Sequence, residues 1–145
     1  MNLRQALRIG SMLSTMTAAG ATTVHAAEKG APPAVETRCY ELRTYYTVPG
    51  RLPNLHARFR NHTIRLFEKH GMKLVGFWTP VDKDDILIYV IEHASREAAQ
   101  KSWAGFRADP EWLEARKASE QEAGGPLTEK VDSVFMVPTD YSAMK

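Results

Sequence analysis

The chain has 145 residues, with 19 lysines and arginines against 17 aspartates and glutamates, and a formal net charge of +2 at pH 7. This length fits one ordinary domain, and the near balance of charge argues against a nucleic-acid partner, which would normally need a basic surface. Cys39 is the only cysteine, so an intrachain disulfide is excluded and we expect a buried thiol.

Residues 1–26 differ in composition from the rest of the chain. They contain Arg4 and Arg8, no acidic residue, a short apolar middle and the ending Val24-His25-Ala26. This pattern predicts a signal peptide and export to the periplasm or beyond the cell. A mitochondrial transit peptide, which is also basic and acid-free, is the alternative for a eukaryotic source. The segment is too short and polar to span a bilayer permanently, so we expect no integral membrane segment after its removal.

The mature chain then has 17 basic and 17 acidic residues, because Arg4 and Arg8 leave with the leader. Residues 27–36 include Pro32-Pro33 and have the composition of a flexible tether. Residues 37–142 form the predicted domain.

The domain begins with a predicted strand at 37–47. It is rich in aromatic and β-branched residues, and its side chains alternate between two faces. One face carries Tyr40, Leu42, Thr44 and Tyr46, and the other carries Cys39, Glu41, Arg43 and Tyr45. An amphipathic helix is predicted next, from Leu52 to His70, with Gly71 as its C-terminal cap.

Two further strands, at 72–79 and 85–92, are predicted to form a β-hairpin. Ser95 is the predicted N-cap of a second helix, and Asp109 followed by Pro110 predicts the start of a third. The last strand is predicted at 130–137. The order β-α-β-β-α-α-β indicates an α+β, ferredoxin-like sheet with its helices on one face.

The third strand is apolar at every position from Ile86 to Ile91. In a strand with one solvent-exposed face, apolar and polar residues would alternate. This continuous apolar run therefore predicts that both faces of the sheet are covered. The helices can cover only one of them. We therefore expect a homodimer in which a second copy covers the other face.

Several sequence blocks, in order, resemble the NIPSNAP family over about residues 38–141. The blocks are Tyr40-Glu41-Leu42-Arg43-Thr44-Tyr45, Pro49-Gly50, Phe59-Arg60-Asn61-His62-Thr63, Phe67-Glu68-Lys69-His70-Gly71-Met72, Val75-Gly76-Phe77-Trp78, Ser95-Arg96-Glu97, Ser102-Trp103 with Phe106, and Asp109-Pro110-Glu111-Trp112. The resemblance implies a dimeric α+β barrel, in which two ferredoxin-like sheets close face to face. Related barrels include haem-binding and haem-degrading proteins and cofactor-independent monooxygenases, and fold alone does not choose among them.

His62 is the first candidate for a functional residue, because it lies near the apolar stripe of the first helix, where an imidazole could bind haem iron or move a proton. A structural role in helix packing is the alternative. His56, His62 and His70 are six and eight residues apart, which does not match two metal ligands on one helix face, so no metal site is predicted.

The other candidates are one arginine and four aromatic residues. Arg43 would be a buried charge needing a partner or an anionic ligand if its face lies inside the protein. The aromatic side chains would line a pocket for a flat ligand if they converge, and would otherwise fill the core; they are Trp78, Tyr89, Trp103 and Trp112.

The sequence therefore predicts a dimeric barrel that binds a small hydrophobic or aromatic ligand, with haem as the first candidate and a pocket containing His62, Trp78 and Trp103. A cofactor-independent or haem-linked monooxygenase-like enzyme and a non-catalytic dimeric interaction module are the alternatives. No catalytic residue is assigned.

Overall fold

The computed structural model describes residues 38–144; the predicted leader and tether lie outside the described residues. The elements follow the predicted order, with strand bounds that differ from the predictions by one or two residues. They are β1 (Cys39–Thr47), α1 (Leu52–Arg58), a π-helical segment (Phe59–Thr63), α2 (Ile64–Lys69), β2 (Lys73–Trp78), β3 (Ile86–His93), α3 (Arg96–Ala108), α4 (Pro110–Glu122) and β4 (Thr128–Met136).

The predicted first helix is one helical stretch that widens in its middle. The N–H of Ile64 donates to the carbonyl of Phe59, five residues back, and the hydroxyl of Thr63 donates to the carbonyl of Arg58 at 3.3 Å. The widened turn keeps Phe59 and Thr63 buried on the same side as Leu66. Such π-helical turns have no sequence signature, and they occur often at functional sites.

The four strands form one antiparallel sheet in the order β2-β3-β1-β4. β1 and β3 are the central strands, and β2 and β4 form the edges. This is the ferredoxin-like arrangement that the order of elements predicts, and the α+β fold class is confirmed.

The two faces of the sheet differ in burial, as β3 shows. Leu87, Tyr89, Ile91 and His93 are buried, whereas the alternate residues are only half-buried. The buried set packs under the helices: Tyr89 contacts Phe59 and Phe67, with ring centroids 5.4 and 5.9 Å apart. We call this side the helix face.

The opposite side of the sheet, which we call the open face, is apolar in its centre. Its residues are Tyr40, Leu42, Thr44 and Tyr46 of β1, Ile86, Ile88 and Val90 of β3, Trp78 of β2, and Val134 and Met136 of β4. Trp78 and Val134 remain 52% and 53% exposed. The prediction of a strand that is apolar toward both faces is therefore confirmed for β3.

Side-chain caps fix the starts of the last two helices. The hydroxyl of Ser95 accepts from the N–H of Ala98 at 3.1 Å, and the carboxylate of Asp109 accepts from the N–H of Glu111 at 2.9 Å. Both caps are those that the sequence predicts. His70 links two of the helices: its Nε2 lies 2.7 Å from the Asp109 carboxylate, so it joins the end of α2 to the start of α4.

Within residues 38–144, no helix has the length and apolar character that a membrane crossing requires.

The Ser95 cap gives a direct test of the α3 boundary. Replacing Ser95 with Ala leaves a backbone N–H of the first turn unpaired, and we expect the free energy of unfolding to fall by about 1 kcal/mol. Ser102→Ala, a change of the same residue type inside α3, should leave stability unchanged or slightly higher, because alanine favours helix interiors. Urea denaturation of both variants measures this, and equal midpoints would contradict the assigned cap.

Candidate functional site

A buried carboxylate lies at the centre of the helix face. Glu41 of β1 is 1% exposed, and side chains from three other elements reach it. Its Oε2 accepts from the indole N–H of Trp103 at 2.6 Å and from Nε2 of His93 at 3.0 Å. Its Oε1 accepts from Arg43 at 2.7 Å and from the hydroxyl of Ser133 at 2.6 Å. Glu41 therefore connects β1 to β3, β4 and α3.

These donors determine the ionisation of Glu41. Burial by itself raises the pKa of a carboxyl group, but the hydrogen bonds from His93, Ser133, Trp103 and Arg43 outweigh it and lower the pKa to about 2. Because an ionised carboxylate only accepts hydrogen bonds, Nε2 of His93 carries a proton. A carboxylate held by four donors stays ionised near neutral pH and fixes the orientation of the side chains that bond to it.

Arg43 lies among aromatic rings beside this carboxylate. Its guanidinium carbon is 4.3 Å from the ring centroid of Trp103 and 5.6 Å from that of Tyr45, and its side chain is 17% exposed. Burial opposes the cation, but Tyr89, Tyr45 and the bond to Glu41 favour it, and together they raise the pKa of Arg43. The helix face thus presents a fixed positive charge against aromatic walls.

The structure brings together three of the residues singled out from the sequence. Arg43, Tyr89 and Trp103 gather beneath the helices. Trp112 lies one layer further out, where its ring contacts Phe106 at 4.5 Å. Trp78 lies on the open face, paired with Ile88. The expected pocket of His62, Trp78 and Trp103 is therefore not formed, because alternation along the strands places Trp78 on the side of the sheet away from the helices.

His62 lies in the π-helical segment and lines a small cleft between that segment and α4. The cleft has a volume of about 100 Å³, and Arg58, Ser119, Asn61 and Glu122 also line it. Pockets for drug-sized ligands measure roughly 300–1,000 Å³ and are mostly apolar. A cleft of about 100 Å³ is too small for a porphyrin, so the residues around His62 do not fit haem.

The described part of the chain has no cluster of side chains that could bind a metal ion. No three histidine, cysteine, aspartate or glutamate side chains of residues 38–144 lie close enough together to hold an ion.

Sequence reasoning missed His93 and Ser133 as partners of Glu41. The sequence does give one signal for a buried charge network. Glu41 and Arg43 lie on the same inner face of a central strand, and each buried charge needs a partner. His93 ends an apolar strand and Ser133 lies on an edge strand, and neither position carries a distinguishing pattern.

Glu41→Gln tests the role of the buried carboxylate. The amide cannot neutralise Arg43, and its NH2 group faces donors, so we expect a loss of about 3–5 kcal/mol in the free energy of unfolding at pH 7. Because the folded-state pKa is depressed, the stability contributed by ionised Glu41 is present above the ordinary pKa of 4.5 and is lost as pH falls toward about 2. Chemical denaturation between pH 7 and pH 2 should show the two proteins converging.

Glu92→Gln provides the matched control. Glu92 pairs with Lys73 and Arg38, which are 71% and 51% exposed, and such pairs contribute about 0–1 kcal/mol. Equal losses in the two variants would contradict the importance of the Glu41 network.

Comparison with known proteins agrees with this architecture. The structure resembles an uncharacterized NIPSNAP-like domain protein from Burkholderia xenovorans (TM-score 0.64, 19% identity, 74% of this chain and 90% of that one). It also resembles a NIPSNAP family protein of unknown function from Agrobacterium tumefaciens (TM-score 0.65, 22% identity, 76% and 96%). A more distant likeness is to SnoaB, a cofactor-independent oxygenase from Streptomyces nogalater (TM-score 0.53, 12% identity, 75% and 99%).

At these identities the solved structures establish the fold alone. No protein among the curated ones matches the chain. The sequence model of the NIPSNAP family matches residues 40–143. That range contains the whole sheet except Cys39 and all the helices, and the protein therefore belongs to the NIPSNAP family.

Proposed function

We propose that this NIPSNAP protein is a homodimer that binds a small hydrophobic or aromatic molecule at the open face of its sheet. The observation that carries the proposal is the apolar centre of that face. Ion pairs border it at both ends, Lys73 with Glu92 and Lys130 with Asp132. An apolar centre with a polar rim is the usual composition of a protein interface, and a second copy of the sheet is the partner that matches it in shape.

A pocket on the same face supports the ligand. It has a volume of about 360 Å³ and is mostly apolar, and it lies between the sheet and the segment after β4. Tyr40, Val75, Trp78, Val90 and Met136 form its sheet side. The indole of Trp78 lies over Gly76, where a Cβ atom would come within 2.7 Å of the ring. The absence of a side chain at Gly76 therefore allows the indole to lie against the sheet and form part of the pocket wall.

The size and lining of this pocket favour a ligand smaller than haem. No histidine lines this pocket, and the cleft beside His62 is too small for a porphyrin. The proposed ligand is therefore an apolar or aromatic molecule without a metal.

A monooxygenase-like reaction is the second candidate function. In its favour, the helix face holds the Arg43 cation against Trp103 and Tyr45, where the oxyanion of an aromatic substrate would be stabilised. Oxygen uptake in the presence of a phenolic substrate distinguishes this reaction from binding alone. A dimeric interaction module without catalysis remains the function if neither binding nor oxygen uptake occurs.

Export is part of the proposal and rests on the composition of residues 1–26 alone, which lie outside the described residues. The alternative is mitochondrial import.

Val134→Glu tests the dimer. Val134 is 53% exposed within one chain, so the substitution should leave the fold intact while burying an unpaired charge in the interface. We expect the wild type to be a dimer at micromolar concentration and the variant to be a monomer, by light scattering. Leu113→Glu is the matched control, because Leu113 is 52% exposed on α4, and it should remain dimeric. A monomeric wild type would overturn the dimer.

Trp78→Ala tests the ligand pocket. Removing the indole opens one wall, and we expect binding of Nile red, a neutral apolar probe, to weaken by about tenfold in a fluorescence titration. Val81→Ala changes an apolar residue that is 98% exposed and outside the pocket, and it should bind like the wild type. Light scattering on each variant separates a pocket effect from a change of assembly. Equal affinities in the three proteins would contradict the pocket assignment.

A further inference from the structure

Another cavity lies on the helix face, between the first helical stretch and the β2–β3 hairpin, and we call it the hairpin cavity. It has a volume of about 270 Å³, and the residues that line it are His56, Phe59, Arg60, Ile64, Phe77 and Leu87. Phe77 lines this cavity, whereas Trp78, the next residue of β2, lines the pocket on the open face. Since neighbouring residues of a strand point to opposite faces, the sheet separates the two sites.

The inner walls of the hairpin cavity are apolar. The rings of Phe59 and Phe77 lie 5.6 Å apart and are inclined at 74°, and Leu87 is 2% exposed. The widened helical turn, closed by the hydrogen bond from Ile64 to Phe59, borders the same space. These side chains offer an apolar surface on which the ring of a ligand can pack.

The polar groups of the cavity are an imidazole and a guanidinium. His56 and Arg60 are four residues apart, which makes them neighbours on the surface of a helix. His56 is half-buried and Arg60 is exposed, so both lie toward the solvent side of the cavity. Burial and the neighbouring Arg60 cation lower the pKa of His56. Within residues 38–144, neither side chain has an ion pair or a side-chain hydrogen bond.

The charge at the cavity is positive, because its lining contains Arg60 and no acidic residue. A carboxylate at this position would accept charge-assisted hydrogen bonds from the guanidinium and a further one from an N–H of the imidazole. Because Arg60 has no ion pair with another described residue, such a ligand would displace no counterion. The arrangement therefore suits an anion that carries an apolar ring.

We propose that the hairpin cavity binds a small aromatic carboxylic acid, whose ring packs against Phe59, Phe77 and Leu87 and whose carboxylate binds Arg60 and His56. Pockets for drug-sized ligands measure roughly 300–1,000 Å³, so a cavity of about 270 Å³ fits an acid with one or two rings. This site is distinct from the dimer surface and the apolar pocket of the open face, and either proposal can fail while the other holds.

The test uses the full chain titrated with 2-naphthoate, and with 2-naphthamide as the neutral analogue of similar shape. By calorimetry we expect saturable binding of naphthoate and at least about tenfold weaker binding of naphthamide, because only the anion compensates the Arg60 cation. Arg60→Gln should keep the fold, since Arg60 is exposed, and should weaken naphthoate binding by about tenfold.

Arg107→Gln is the matched control. Arg107 is an exposed arginine in the last turn of α3 and lies outside the cavity, so this variant should bind naphthoate like the wild type. Absent naphthoate binding, equal binding of naphthamide, or equal naphthoate affinities in Arg60→Gln and Arg107→Gln would each overturn the proposal.

The imidazole of His56 gives a second readout in the wild-type protein. A bound carboxylate favours the charged imidazole, so saturating naphthoate should raise the pKa of His56 in an NMR titration of the histidine ring protons. His56→Gln assigns the signal. The signals of His93, which is buried against Glu41, should not move when naphthoate is added. An unchanged pKa of His56 would contradict the proposed position of the carboxylate.

Trp78→Ala distinguishes this site from the pocket on the open face. It removes a wall of that pocket and leaves the lining of the hairpin cavity intact, so naphthoate should bind with unchanged affinity while Nile red binding weakens. Loss of naphthoate binding in Trp78→Ala would assign the acid to the open face and overturn the hairpin site.

Discussion

The structure depends on the ionised carboxylate of Glu41 inside the protein. A charge that is 1% exposed persists only if hydrogen bonds replace its water, and here the donors come from β1, β3, β4 and α3. The requirement fixes the register of the central strands against the edge strand, and it fixes the depth at which α3 lies on the sheet. It also sets the position of Arg43, whose guanidinium donates to the carboxylate at 2.7 Å and lies 4.3 Å from the ring centroid of Trp103.

The same constraint makes the two faces of the sheet chemically different. Alternation along β1 directs Glu41 and Arg43 toward the helices and directs Leu42 and Thr44 to the open face. Polar groups therefore collect where the helices exclude water, and the electrostatic interactions there are strengthened by the lower local dielectric. The open face carries apolar side chains that a single chain covers only in part. A surface of this kind favours association with another molecule.

The order of elements, both helix caps and the two-sided character of β3 could be predicted because each depends on local pattern: alternation, cap residues and a continuous apolar run. The site could not be assembled in the same way. The predicted pocket of His62, Trp78 and Trp103 groups side chains by their chemistry alone. The face on which a β2 residue lies also depends on a register shift between Leu74 and Gly76, and no local pattern marks that shift. Three of the four partners of Glu41 lie 52, 62 and 92 residues away, and no local pattern encodes such contacts.

The division of the sheet also bears on how one fold supports different activities. The likeness to SnoaB extends to the fold, and a shared fold leaves activity to the side chains of the site. In this chain the charged groups lie on one face and the proposed interface on the other, so substitutions under the helices can change ligand chemistry without altering the surface available for pairing. β1 is the element common to both, because successive residues such as Leu42 and Arg43 point to opposite faces. A shift of β1 by one residue would exchange the two sets, and the four hydrogen bonds to Glu41 are what oppose that shift.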